Sequence, residues 1–227
     1  MDFLNNLLFV RLDVLPFYVL ALVIGFTVHE FSHAYFANKF GDPTARLLGR
    51  VSLNPAVHID LLGIILLLIA GFGWAKPVPV TRENFKNPRL MGIIVSAAGP
   101  ISNLLLALIT VIIYYALNYF GIVGSFANTR IDEAIFMFVQ YMALMNCFLF
   151  VFNLIPLPPL DGYRILSDWL PRRASAKLQR VEQWAMLIFL LVVFLPPLRA
   201  VTISPLYTFA QDLASSFYTF AGVIFGG

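Results

Sequence analysis

The chain has 227 residues, 60% of them hydrophobic and 12% charged, with 22 phenylalanines and a mean hydropathy of +0.84. Soluble domains carry about 25% charged residues, so a water-soluble globular domain is excluded and a polytopic helical membrane protein is expected. A net charge of only +3 with no basic-aromatic patch excludes a nucleic-acid partner, and a single cysteine, Cys147, excludes a disulfide framework.

A membrane span needs about 20 apolar residues. Residues 3–10 are too short for one and are expected at the membrane interface. The first long helix is expected at about 14–40, ended by the turn signal Gly41-Asp42-Pro43. Inside it stands His29-Glu30-Phe31-Ser32-His33. Ionisable residues within a span are costly and usually functional. Residues four apart share a helix face, so both imidazoles can reach one Zn2+, with Glu30 beside it as general base on water. The plain alternative is a pair of packed, mutually hydrogen-bonded histidines.

Residues 44–57, with Arg46, Arg50, Ser52 and Asn54-Pro55, read as short strands and turns. An apolar run at 59–73 is short for a span. Lys76-Pro77-Val78-Pro79-Val80 reads as extended, because proline excludes helix. Further helices are expected at about 90–120, which contains Gly99-Pro100, and at about 132–155. A proline-rich exit to Asp161-Gly162 and a polar stretch to Arg180 follow, then helices at about 182–197 and 204–225. The expected fold is all-α and polytopic: about five transmembrane helices, a re-entrant apolar segment and a small β-like hairpin between the first two core helices. It forms a single domain over 1–227, with its core at about 14–162.

A catalytic zinc usually has three protein ligands, and the candidates for the third are Asp161, His58, Asp60 and Asp42. Asp161 is favoured, because Pro156, Pro158 and Pro159 break the helix just before it. Broken helix at membrane depth is tolerated where it lines a cavity. If 59–73 spans, Asp161 falls on the far face, well over about 15 Å from His33 at 1.5 Å per residue. If it re-enters, the two residues reach similar depth. The re-entrant arrangement also places 12 of the 15 lysines and arginines on one side, where spanning places 10. Cytoplasmic loops hold that excess, so the site is expected near the cytoplasmic face. For His58 and Asp60 an interfacial loop pair and a supporting role behind the ligands stay equally open.

The HExxH at 29–33, the segment Ala98-Gly99-Pro100-Ile101-Ser102-Asn103, and Asn153-x-x-Pro156-x-Pro158-x-x-Asp161-Gly162 occur in that order over about 135 residues. Together they resemble the site-2 protease family of intramembrane zinc metalloproteases, in its compact branch without a PDZ domain. The resemblance implies one Zn2+ per chain held by His29, His33 and Asp161. It implies Glu30 as catalytic base and acid, and Asn153 as a holder of the substrate or its oxyanion. His58 and Asn103 are expected behind the ligands. A sheet-like edge for an extended substrate falls at 44–53 and 76–80, on Val51, Val78 and Val80, where strand addition would satisfy an unwound peptide. Two features depart from the family pattern: Tyr163 follows Asp-Gly where a second small residue is common, and the role of 53–60 is not assigned.

The expected activity is zinc-dependent hydrolysis of peptide bonds in transmembrane substrates near the cytoplasmic side. The partners are the lipid bilayer and a membrane-protein or transmembrane-peptide substrate, and the location is a prokaryotic-type cell membrane. The rivals are a lipid or prenyl-substrate hydrolase using the same metal, and a metal transporter using the histidines as transit ligands.

Overall fold

The computed structural model describes residues 11–70, 73–124 and 129–226. In chain order the α-helices are α1 (Leu15–Lys39), α2 (Thr44–Leu47), α3 (Leu61–Ala70), α4 (Pro88–Tyr119), α5 (Thr129–Asn153), α6 (Asp161–Trp169), α7 (Arg172–Phe194) and α8 (Pro196–Phe225). The predicted interfacial segment 3–10 and residues 71–72 of the apolar run lie outside the described residues.

Three of these helices, α1, α4 and α5, are long and apolar enough to cross a membrane. They pack on one another as the centre of the molecule. Proline opens two of them, Pro16 in α1 and Pro88 in α4. At a helix start its fixed φ is already helical and its missing N–H costs nothing. The Asn87 side chain caps α4 by accepting from the Leu90 amide at 3.3 Å. At 25 residues, α1 rises about 37 Å, more than the roughly 30 Å of hydrocarbon. It stops where Gly41 takes a φ of 104°, open to glycine and strained for other residues.

The outer surface of α4 carries Ile101, Leu105, Ile109 and Ile113, four residues apart and each about half exposed. Such a stripe suits lipid and not water. On its inner side Ala107 and Val111 meet Ala143 and Cys147 of α5 and Ala210, Ala214 and Ala221 of α8. Lipid supplies no hydrophobic drive between helices, so small residues that allow close packing hold such contacts.

The two C-terminal helices begin earlier than the polarity pattern predicts, at Arg172 and Pro196 instead of 182 and 204. The stretch 172–180 is polar but contains no helix breaker, and Pro196-Pro197 supply the start of α8 while Pro205 is accommodated inside it. Leu187–Phe194 and Pro196–Phe225 meet at 86°.

The segment between α1 and α4 differs from the expected hairpin. Among the described residues there is no strand, only an isolated antiparallel bridge between Ile59 and Ala75. Residues 44–47 form a helical turn because the Asp42 carboxylate accepts from the Thr44 amide at 3.1 Å and from its hydroxyl, the local competition that draws Asp into turns. Residues 55–57 form a 3-10 turn capped by Asn54.

Helix α3 is ten residues, about 15 Å, or half the hydrocarbon thickness. The Lys76 amide then donates to the His58 carbonyl at 2.8 Å, so the chain returns to the level it left. The crossing is tight: a Cβ on Gly63 would collide with the Trp74 carbonyl.

Candidate metal centre

Helical spacing puts His29 and His33 on the inner face of α1, and the end of the α5 exit brings Asp161, first residue of α6, against them. The Nε2 atoms of the histidines lie 3.0 Å apart, and the Asp161 Oδ2 sits 3.1 Å from one and 3.2 Å from the other. All three residues are at least nine-tenths buried.

The far sides of the rings determine what these atoms present. His29 Nδ1 lies 2.7 Å from Asn103 Oδ1, and His33 Nδ1 lies 2.7 Å from the Val95 carbonyl. The Asn103 amide is oriented by its own donors, which reach the Gly25 carbonyl at 3.0 Å and Asn146 Oδ1 at 2.8 Å. Each histidine therefore donates from Nδ1, and a neutral ring then carries a bare lone pair on Nε2. Two such lone pairs and a carboxylate oxygen without a hydrogen-bond donor converge on one point. That cluster repels itself unless a cation lies within it.

A divalent metal fits on two counts. Ligand atoms about 2.0–2.1 Å from a tetrahedral Zn2+ lie roughly 3.3 Å apart, close to the observed edges. Space is also kept for it: a Cβ on Gly99 would fall on His33 Nε2 and come within 2.7 Å of His29 Cε1. The glycine in the Ala98–Asn103 segment is thus a cradle, and Asn103, one turn on, orients His29. Ring N–H groups bound to fixed acceptors are the usual support of metal-ligating histidines.

Glu30 lies beside the three and accepts the Val78 amide on Oε2 at 3.0 Å. The loop that delivers this amide is tied down by side chains. Asp42, wholly buried, accepts from the Thr81 amide at 2.7 Å and the Asn84 amide group at 2.8 Å, as well as from Thr44. Burial pushes the Asp42 carboxyl up, but hydrogen bonds from Thr44, Thr81 and Asn84 overcome it and hold it below the usual carboxylate range. Arg50, also buried, donates to the Lys76 carbonyl. Burial lowers its guanidinium below the ordinary value, while the nearby Glu30 charge works the other way.

The remaining candidates fall elsewhere. His58 is buried, but its Nε2 pairs with the Ser52 carbonyl at 2.7 Å and with none of the three. Asp60 caps α3 through the Gly63 amide at 2.9 Å. Asn153 lies on the wall of the same cavity, with its amide donating to the Leu149 carbonyl at 2.9 Å. Val51, Val78 and Val80 pack with Ala34 and Ala45. Val78 has already given its amide to Glu30, so the edge expected for an extended substrate lacks that donor. Sequence reasoning missed Arg50, Asn146 and the Val78 amide. Arg50 gave no sign beyond being one more loop cation, and a backbone donor gives none at all.

His29, Glu30, His33 and Asp161 all line a cavity of about 850 Å³ that runs between α1, α5, α7 and α8.

The family model described as "Peptidase family M50" matches residues 17–196. A Bacillus subtilis (strain 168) protein named "Putative zinc metalloprotease YwhC" is 43% identical over 211 residues, 92% of this chain and 94% of its own length. "Putative zinc metalloprotease Rip2" of Mycolicibacterium smegmatis is 29% identical over 202 residues, 86% of this chain and 70% of its own. "Putative zinc metalloprotease MJ0611" of Methanocaldococcus jannaschii is 28% identical over 160 residues, 67% and 70%. No solved structure matches the chain significantly. With the family model covering most of its length, and a relative 43% identical over more than nine-tenths of both chains, the chain belongs to peptidase family M50, the site-2 protease family.

Proposed function

We propose that this protein is a zinc-dependent endopeptidase that cleaves transmembrane substrates within the bilayer, close to its cytoplasmic side. The observation that carries the reading is the convergence of two imidazole lone pairs and a carboxylate oxygen beside Glu30, on the wall of a cavity among apolar helices. His29, His33 and Asp161 would hold the metal. When bound, Zn2+ contributes Lewis-acid chemistry, acidifying water to a pKa of about 7 and polarising the scissile carbonyl.

The chain's own groups do the rest. Asn103 and the Val95 carbonyl hold the two rings in the tautomer that turns Nε2 inward. The Val78 amide fixes one oxygen of Glu30, which takes a proton from water and later delivers it to the leaving nitrogen. Asn153, on the cavity wall, is placed to donate to the developing oxyanion once its amide leaves Leu149. A helical substrate must unwind first, because its carbonyls are otherwise satisfied internally.

In the membrane we read α1, α4 and α5 as spans, with the bent α7–α8 pair completing about five, and α3 as re-entrant. The return bond from Lys76 to His58 supports that reading, and so does the 12-to-3 segregation of lysine and arginine.

The deciding experiment uses purified protein and a model transmembrane substrate, with products identified by mass spectrometry. Glu30→Gln is expected to abolish cleavage while zinc content stays near one per chain. Asp161→Ala is expected to lose both. Function intact in Glu30→Gln would favour transport instead, and lipid products would favour the lipid hydrolase. Cysteine labelling that puts residues 75–85 on the face opposite 164–180 would overturn the topology.

A further inference from the structure

Helices α4 and α6 pack against each other, and each carries a matched pair of residues seven positions apart. On α4 these are Gly92 and Gly99, and on α6 they are Asp161 and Asp168. Seven residues make nearly two turns, so the members of each pair share a face and stand about 10.5 Å apart. Gly99 seats the two imidazoles that Asp161 meets. Gly92 seats Asp168, since a Cβ there would come within 2.5 Å of its Oδ2. The two helices therefore run antiparallel and use one device twice, a glycine facing a cluster built on a carboxylate. At the first level the carboxylate meets the candidate ligands. At the second it meets a cation of the chain itself, because Arg82 Nη1 donates to Asp168 Oδ1.

The Asp168 side chain is nine-tenths buried, and its Oδ2 receives no hydrogen bond. A buried carboxylate stripped of its charge partner is costly, so Arg82 is held firmly. Its place in the chain gives that hold a consequence. Arg82 opens the 3-10 turn Arg82–Asn84 directly after Thr81, whose amide is bound by Asp42. Four residues before it stands Val78, whose amide goes to Glu30, with the fixed φ of Pro79 between them. A shift of Arg82 is thus passed to the donor that holds Glu30. The other end of α6 is pinned separately. A Cβ on Gly162 would collide with the Leu154 carbonyl, so the Asp161 turn is packed in place and α6 acts as a short strut. We propose that Arg82 and Asp168 are positioning residues for Glu30. Their ion pair straps the loop that presents Val78 to the helix that begins with Asp161, and so sets where the base stands relative to the ligands. The proposal rests on the endopeptidase reading and adds to it two residues that touch neither metal nor substrate.

The test reads the loop separately from the chemistry. Full-length Arg82→Gln, Asp168→Asn, the double variant and Arg82→Lys are placed in phosphatidylcholine nanodiscs with zinc. Hydrogen exchange of the amides in 76–82 is followed by mass spectrometry, and cleavage of a model transmembrane substrate is scored per bound zinc. Each single variant is expected to exchange about tenfold faster in that segment. Each is also expected to lose about tenfold in kcat with KM unchanged and zinc near one per chain. The double variant should match either single one, because the pair acts as a unit. Arg82→Lys, which keeps the charge, should recover most of both readouts. An ion pair serving the fold alone would leave kcat per bound zinc at the wild-type value, and that result overturns the proposal. Unchanged exchange in both single variants, or losses that multiply in the double one, overturn it equally. A wild-type protein that cuts no substrate defeats the endopeptidase reading, while the exchange rates still decide whether the strap holds the loop.

Discussion

Two polar regions lie side by side in this apolar molecule and are built in opposite ways. The node between α1, α4 and α5 (Gly25, Asn103, Asn146 and the two histidines) consists of groups on regular helices that meet because their periodicity brings them together. The clip between α1 and α4 consists of irregular chain held by individual side chains, Asp42 on Thr81 and Asn84, and Arg50 on Lys76. Under the proposed function the node would fix the metal ligands and the clip would fix the base. A half-satisfied buried network costs more than none, so damage to the node should spread to metal binding, while damage to the clip should spare it.

The sharpest way to break that division is Gly99→Ala. Its methyl group would occupy the space against both rings, so zinc content should fall to background while circular dichroism shows the helices intact. Retention of a full zinc complement would mean the cradle is not one. Next is Asn103→Leu, which removes the His29 acceptor and takes from Asn146 Oδ1 its donor. Loss of such support lowers metal affinity by about 10–100-fold, measurable by competition with a chelator.

Val78→Pro acts on the clip alone. The residue already sits between two prolines, so the main loss is the amide given to Glu30. A hydrogen bond to a charged group contributes about 1.5 kcal/mol, so kcat should fall about tenfold with zinc occupancy unchanged. A fall in zinc would join the two regions into one. The smallest effect concerns Asp42. Its carboxyl is held low in the folded protein, so its contribution is present above the ordinary carboxylate pKa of about 3.9 and lost as pH falls through the depressed folded value. Limited proteolysis of residues 42–85 should accelerate below about pH 4 in the wild type. Asp42→Asn should be cut faster at neutral pH and show less of that acid dependence.

The same division explains what could be read from the residues alone. The long helices and the His29–His33 pair follow from a 3.6-residue period, and Asp161 stands out because Pro156, Pro158 and Pro159 break the helix just before it. Asn103 was legible only as part of a matched segment. Its contact with His29 depends on how α1 and α4 cross, while Gly25 of α1 leaves room for Asn146 of α5, which accepts from the Asn103 amide. The helical turn at Thr44–Leu47 lies in a stretch whose composition suggests short strands and turns, because its cause is one carboxylate two residues upstream. His58 was weighed as a ligand, since a lone histidine near a metal motif looks the same whether it faces the metal or, as here, the Ser52 carbonyl. Arg50 was unreadable as a neighbour of Glu30 because the end of α1, a turn and α2 lie between them, and the path of the turns sets where Arg50 lands.

The single amide of Asn103, on α4, bonds to α1 and α5 and so joins three helices at one level. A bundle pinned in that way cannot shear one rod past another when the surrounding bilayer thins or thickens. The adjustment must come from tilting the unit as a whole or from flexing the angle between α7 and α8. Mechanical adaptation to the host membrane is thereby routed away from the ligands and toward the C-terminal hinge.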